Sequence, residues 1–184
     1  MDLTRTIKTR RSVRKFTNKK PNWRHIIECI DVMRYAPMAG NNFSLKIILV
    51  DDKEKIQEIA DACEQDFVGQ AQSVVVVCTT PSRTTLSYEE KGEGYLRQQA
   101  GAAIQNFLLK IHDKKLATCW IGYFNEPKIR SLLRIPEKIK IEALFPVGYE
   151  AGKTKPKTKI DLDNILYFNQ YNQTKMNPPK KLEV

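Results

Sequence analysis

The chain has 184 residues, 41% hydrophobic and 28% charged, with 31 Lys+Arg against 21 Asp+Glu and a formal net charge of +10. That size suits one domain with its own core, needing no disulfide or metal staple, and the composition excludes collagen, low-complexity disorder and a cysteine scaffold. The longest apolar runs, around Ile47–Val50 and Val74–Cys78, are far shorter than the ~20 residues of a membrane helix. The basic start lacks the apolar stretch of a secretory signal, and Cys29, Cys63, Cys78 and Cys119 lie apart with no C-x-x-C, so reduced thiols in a cytoplasmic protein are expected.

In chain order, Leu3–Arg10 has weak helical character. Asn22 is placed to cap a helix over Trp23–Arg34, with Ile26, Ile27, Ile30 and Met33 on one face. Pro37 and Gly40 end it in a turn-rich loop, Ala36–Asn42. Leu45–Val50 predicts a strand, and Asp51-Asp52 precede a second amphipathic helix with Ile56, Ile59, Ala60 and Cys63 inward. The unbroken β-branched run Ser73–Thr79 is the pattern of a strand buried on both faces. Pro81–Gly94 has little periodicity and reads as a long mobile loop, the kind that forms lids and binding loops.

Tyr95–Lys114 is the strongest helix, and its stripe of Ala103, Ile104, Phe107, Leu108 and Ile111 predicts a central position. A short strand over Thr118–Ile121 follows, then a helix capped by Asn125 with Pro127 in its first turn, running to about Leu133. Ile139–Tyr149 predicts another strand, and Asn164–Asn169 a short strand or helix. Helices alternating with strands, without repeats or an obvious linker, predict a single α+β domain with a mixed sheet covered by helices on both faces.

The charge is uneven. Residues 1–25 carry nine Lys/Arg against Asp2 alone, and residues 151–184 carry seven against three acidic residues, so the body between them is close to neutral. Two readings follow: the ends fold together around a phosphate, or they are solvated arms that bind nucleic acid or nothing. Motifs for other chemistries are missing. There is no Walker A, and Gly92-Glu93-Gly94-Tyr95-Leu96-Arg97 has Arg where the third glycine of a dinucleotide fingerprint belongs. His25 and His112 are the only histidines, with no Cys or His at metal-ligand spacing, so no metal is expected. An enzyme with so little acid–base and nucleophilic machinery would depend on a cofactor.

Three segments point to which one. Arg10-Arg11-Ser12-Val13-Arg14-Lys15-Phe16 concentrates guanidinium forks and a hydroxyl suited to a phosphate monoester. Ala36-Pro37-Met38-Ala39-Gly40-Asn41-Asn42 offers small residues that let backbone approach a flat ligand, and Asn amides that can meet a ring edge. Leu116–Phe124 follows the long helix. Together with the order of elements, these segments resemble the FMN-dependent nitroreductase family across nearly the whole chain. The matching pieces are I-x-x-R-R-S-V-R-x-F from Ile7, A-P-x-A-G-N from Ala36, A-A-I-Q-N-F-L-L from Ala102, T-C-W-I-G from Thr118 and F-P-V-G-Y from Phe145.

The resemblance implies a nitroreductase-like fold, its mixed sheet largely antiparallel, in an intertwined homodimer whose residues 165–184 form a C-terminal extension packing on the partner subunit. Arg10, Arg11, Ser12 and Arg14 would hold the flavin phosphate and ribityl end, with Arg14 nearest the N1–C2 carbonyl edge, and Lys157 and Lys159 would close over the same phosphate. Pro37, Met38, Ala39 and Asn41 would reach the flavin from the partner subunit. Trp120, Ile121 and Gly122 would lie against the ring, with the Gly122 N–H reaching N5; Cys119 reads as packing. Phe43, Tyr88, Tyr123 and Phe124 are candidates for the acceptor pocket.

The implied reaction is ping-pong transfer of hydride from NAD(P)H through flavin N5 to an electron-poor acceptor such as a nitroaromatic or quinone. No catalytic side chain is needed beyond electrostatic support from Arg14 and the Gly122 N–H. A second copy of the chain and a small-molecule acceptor are the expected partners, rather than nucleic acid or membrane. The alternatives are a flavin-binding, flavin-processing or dehalogenating relative in the same fold and, more distantly, a basic nucleic-acid-binding module.

The chain departs from the family pattern at Asn42-Phe43-Ser44-Leu45, where a Gln-Pro-Trp-like sequence is usual. It also has Lys115-Leu116-Ala117 in place of Gly-Leu-Gly, and Lys159 in place of a late Arg. Lys is a point charge rather than a fork, which loosens its grip on phosphate.

Overall fold

A computed structural model describes residues 2–81 and 83–176. The chain divides between Thr154 and Lys155 into two compact units. In the first, helices begin where side chains can take up their unpaired N–H groups. Asp2 accepts from Arg5 N–H to start α1 (Leu3–Thr9), Asn22 accepts from Arg24 N–H to start α2 (Trp23–Asp31), and Asp52 accepts from Glu54 and Lys55 N–H to start α3 (Lys53–Cys63). The helix expected to continue to Arg34 instead tightens into a 3-10 turn over Val32–Tyr35.

β1 (Leu45–Val50) and β2 (Ser73–Thr79) form as predicted, and every residue of β2 is buried. The expected Pro81–Gly94 loop is more ordered than its sequence suggests. It holds α4 (Arg83–Ser87) and a 3-10 turn over Glu89–Lys91, and α5 (Gly92–Asp113) begins three residues before Tyr95. Close contact rather than apolar periodicity makes this structure. A Cβ on Gly92 would lie 2.6 Å from Thr85 Cα, and the Tyr88 ring meets Tyr95 edge-on at 5.1 Å. Asn125 then caps α6 (Glu126–Leu133) as expected.

β3 (Ala117–Thr118) and β4 (Lys140–Gly148) complete a sheet of order β1-β2-β4-β3, in which every described pairing is antiparallel. β3 is shorter than the predicted Thr118–Ile121 for a reason visible in the register. Ala117 pairs with Gly148, Thr118 with Val147 and Ile121 with Leu144, which places Cys119 opposite Pro146 and Trp120 opposite Phe145. Ile121 and Leu144 exchange both backbone bonds, at 2.9 and 3.0 Å. Two residues back, the alternation calls for the same exchange between Cys119 and residue 146, but proline has no N–H to give.

Side-chain alternation builds a core on each face. Val75, Val77, Phe145 and Val147 pack against Ile26 of α2, Met33 of the 3-10 turn that follows it, and Ile104 and Phe107 of α5. Val74, Val76, Cys78 and Leu144 pack against Ile56, Ile59, Cys63 and Ile129 from α3 and α6. A register shift opposite Val77/Cys78 inserts Glu142 as an extra residue, so that Ala143 serves the first core and Ile141 the second. A third small cluster of Val13, Phe16, Ala71 and Ala117 secures the segment after α1.

In the second unit, a 3-10 turn covers Leu162–Asn164, the Tyr167 and Tyr171 rings meet at 5.0 Å, and Phe168 N–H donates to Gln173 at 2.7 Å. Asn164–Asn169, expected as a short strand or helix, is otherwise irregular, with a turn at Ile165 and a bend at Phe168–Asn169. The last eight residues of the expected extension, 177–184, lie outside the described residues.

Candidate functional site

The arginine segment is extended and pinned at both ends. α1 stops at Thr9, and Arg10 takes an extended conformation, φ −56° and ψ 139°. Val13 is buried and its N–H donates to Thr118 O at 2.9 Å. Phe16 bridges Glu150, Thr17 N–H donates to Tyr149 O, and Ala151 N–H donates to Lys15 O, the last two at 2.9 Å. Phe16 is seated on Gly148, where a Cβ would come within 2.9 Å of its ring. Between these anchors Ser12 and Arg14 are exposed and Arg10 is half-buried. The segment therefore runs beside the strand that leads to Trp120.

The arginines differ in their engagements. Arg11 Nη1 donates to Lys8 O and Arg10 O, both at 2.9 Å, so this guanidinium closes the end of α1, where carbonyls lack helical partners. Arg14 lies over the Phe67 ring, 6.0 Å from its centroid. Arg10 and Arg11 are close enough to His112 to hold its pKa below the ordinary value, an effect added to the larger one of burial. His112 Nε2 lies 2.8 Å from Thr9 Oγ1.

Past β3, Trp120 turns outward, 43% exposed, with its ring 5.6 Å from Phe145 and its Nε1 3.8 Å from the position of a Cβ on Gly122. Ile121 is buried, whereas Gly122 and Tyr123 are exposed. Phe124, predicted alongside Tyr123, is half-buried and packs against the second core. Thr118 Oγ1 is buried at the start of this stretch and finds no hydrogen-bond partner among the described residues. Cys119 packs in the second core, and burial pushes the thiols of Cys29 up to about 12 and of Cys63 and Cys78 up to about 11.

A second assembly forms on the N-terminal half of α5. Pro37 and Asn41 are exposed, Met38 packs against the first core, and Gly40 and Asn41 are both left-handed, φ 59° and 54°. Ala39 N–H donates to Gln99 Oε1 at 3.0 Å, and Gln99 Nε2 donates to Ser44 Oγ. The Tyr88 hydroxyl is 3.5 Å from the position a Gly40 Cβ would take, and Phe43 is 47% exposed. Sequence reasoning passed over Gln99. Its signal was a polar residue between Leu96 and Ala103 on the inner face of the helix.

A recess of about 230 Å³ lined by Thr79, Leu96, Arg97, Lys140 and Glu142 lies at the end of β2 away from Ser73. Lys157 and Lys159 are exposed in the second unit. Among the described residues no group of His, Cys, Asp and Glu could hold a metal ion, and no helix is long and apolar enough to cross a membrane.

The family model described as Nitroreductase family matches residues 7–67 and 60–149. The chain belongs to the nitroreductase family. A Methanothermobacter thermautotrophicus protein provisionally named NADH dehydrogenase/NAD(P)H nitroreductase is 29% identical over 170 residues, covering 90% of this chain and 86% of its own. An iodotyrosine deiodinase of Thermotoga neapolitana is 24% identical over 175 residues, covering 86% and 92%. Among solved structures, an FMN-dependent nitroreductase from Clostridium difficile superimposes with a TM-score of 0.76 at 24% identity, covering 90% of this chain and 98% of that one. The part of this nitroreductase-family chain that matches the model runs from the arginine segment to Tyr149 and ends before Lys157 and Lys159.

Proposed function

We propose that this chain is an FMN-dependent oxidoreductase of the cytoplasm. In this reading it accepts reducing equivalents from NAD(P)H and passes them to an electron-poor small molecule such as a nitroaromatic or a quinone, as a homodimer. The observation that carries the reading is the bond from Val13 N–H to Thr118 O. It ties a segment rich in phosphate-binding side chains to a strand end that offers an exposed aromatic and a bare glycine backbone.

The donor set suits FMN. Arg10 and Arg14 supply forks for a phosphate or ring-edge oxygen, and Ser12 adds a hydroxyl. Gly122 is exposed and lets a backbone N–H approach a ring without steric interference. When bound, FMN supplies two-electron transfer between NAD(P)H and the acceptor. The protein's part is positioning and field. Arg14 fixes positive charge where negative charge develops on the ring edge, which favours reduction. Exposed Trp120, Phe43 and Tyr123 present faces on which planar donors and acceptors can rest in turn, which asks for no dinucleotide fingerprint.

The dimer is supported by apolar surface. Leu3 and Ile7 of α1, Ile27 of α2 and Tyr35 of the following turn are all exposed on elements that pack beside α5. The deiodinase relative favours a second reading, reductive removal of halide from an aromatic ring at the same site.

The test is anaerobic. The purified protein should be yellow, bleach with NADH or NADPH, and regain colour with a nitroaromatic or quinone. Recolouring only with a halogenated tyrosine would select the second reading. A colourless protein that takes up no FMN and binds nucleic acid in a steeply salt-dependent way would overturn both.

A further inference from the structure

We propose that Gln99 is a positioning residue: its buried amide holds the 39–44 loop in the backbone shape that presents Met38, Ala39 and Asn41 to the flavin. The inference rests on the FMN reading and adds a residue on α5 that lies outside every segment of that reading. Gln99 is 4% exposed, and a primary amide taken from water needs partners for both its ends. It finds them at the two ends of one loop. Oε1 accepts from Ala39 N–H at 3.0 Å and Nε2 donates to Ser44 Oγ. Ser44 is buried in its turn, and its carbonyl accepts from Thr80 N–H at 2.8 Å and from Thr80 Oγ1 at 3.2 Å.

Between the two anchors lie Gly40 and Asn41, consecutive left-handed residues. Asn enters that region more readily than other non-glycine residues, so the pair sets a tight reversal of the chain whose position against the rest of the fold must be fixed by other contacts. The loop's own bonds, Asn41 N–H to Met38 O at 3.0 Å and Asn42 N–H to Ala39 O at 3.2 Å, give it a local shape but do not attach it to anything else. The amide from α5 does. It also sets polarity: Ala39 N–H can only donate, so the oxygen must face it, leaving the nitrogen to Ser44. Methionine has nearly the same length and neither group. Glutamate keeps an acceptor for Ala39 and can receive the Ser44 hydroxyl proton, since that hydroxyl rotates.

The experiment compares parent, Gln99→Met, Gln99→Glu and Ser44→Ala by amide hydrogen exchange without FMN, and then by FMN titration and the midpoint potential of the bound flavin. In Gln99→Met, exchange of the Ala39–Asn42 amides should speed up by about tenfold while β2 is unchanged, FMN should bind about tenfold more weakly, and the potential should move. Gln99→Glu should restore part of each, and Ser44→Ala, which removes one anchor, should give a smaller change of the same kind. Unchanged loop exchange in both Gln99→Met and Ser44→Ala overturns the assignment whatever the flavin does. A looser loop with parental affinity and potential also overturns it, since Gln99 would then serve structure alone. A parent that takes up no FMN overturns the underlying reading, and that result is visible before any variant is compared.

Discussion

Phe16 is seated directly on Gly148, so closely that a single added carbon would lie 2.9 Å from its ring. That contact is where the arginine segment meets the end of β4, and it explains why glycine stands last in a strand otherwise filled with larger residues. Gly148→Ala should displace Phe16 and cost about 1–3 kcal/mol, as overpacking does. Chemical denaturation measures the loss, and FMN titration should show weaker binding, because Ser12 and Arg14 move with Phe16.

Arg11 and Arg14 are three residues apart and differ in what they hold. Arg14→Ala should weaken FMN binding by about 1.5–3 kcal/mol, the range for a hydrogen bond to a charged group, and lower the bound flavin's potential. Arg11→Ala should chiefly fray α1, because its guanidinium closes that helix on Lys8 O and Arg10 O. Fluorescence titration and reductive spectroelectrochemistry separate the two; equal effects on potential would contradict the geometry.

His112 is held below its ordinary 6.5 by burial first, then by the charges of Arg10 and Arg11. A folded pKa lower than the unfolded one means that the unfolded chain takes up the proton first as pH falls. Stability should therefore drop as pH falls through about 6.5 and level off once the folded ring is itself protonated. Urea unfolding at a series of pH values, compared with His112→Gln, tests this; the variant should show a flatter profile between neutral pH and the carboxylate range.

Ile27 is exposed on α2 although its neighbour Ile26 is fully buried. If a second copy covers this face, Ile27→Asp should weaken association by about 2 kcal/mol or more, as for residues buried at an interface centre. Sedimentation at a series of concentrations reads this directly. An unaltered dimer would move the contact elsewhere.

Much of the fold was legible because its signals are local. Asn22, Asp52 and Asn125 cap the helices that follow them, and the β-branched run Ser73–Thr79 is buried throughout. What was not legible depends on residues meeting across the fold. α4 and the first turn of α5 are ordered by Gly92 against Thr85 and Tyr88 against Tyr95, contacts that no periodicity announces. β3 stops at Thr118 because of a proline 28 positions later in the chain. The candidate site shows the same division: its segments could be named from residue types, but the engagement of Arg11, the packing of Phe124 and the hydrogen bonds of Gln99 needed coordinates.

Pro146 has a second effect. A sheet border that exposes a row of unpaired backbone groups invites another chain to extend it. Here that border has two residues of ladder, whose outward carbonyl at Thr118 is taken by Val13, then the stretch opposite Pro146 where the exchange of bonds cannot be completed, then a single bridge at Ile121. Bare backbone at Gly122 is thus displayed on a margin too interrupted to template the addition of another strand, and the interruption traces to a single missing hydrogen.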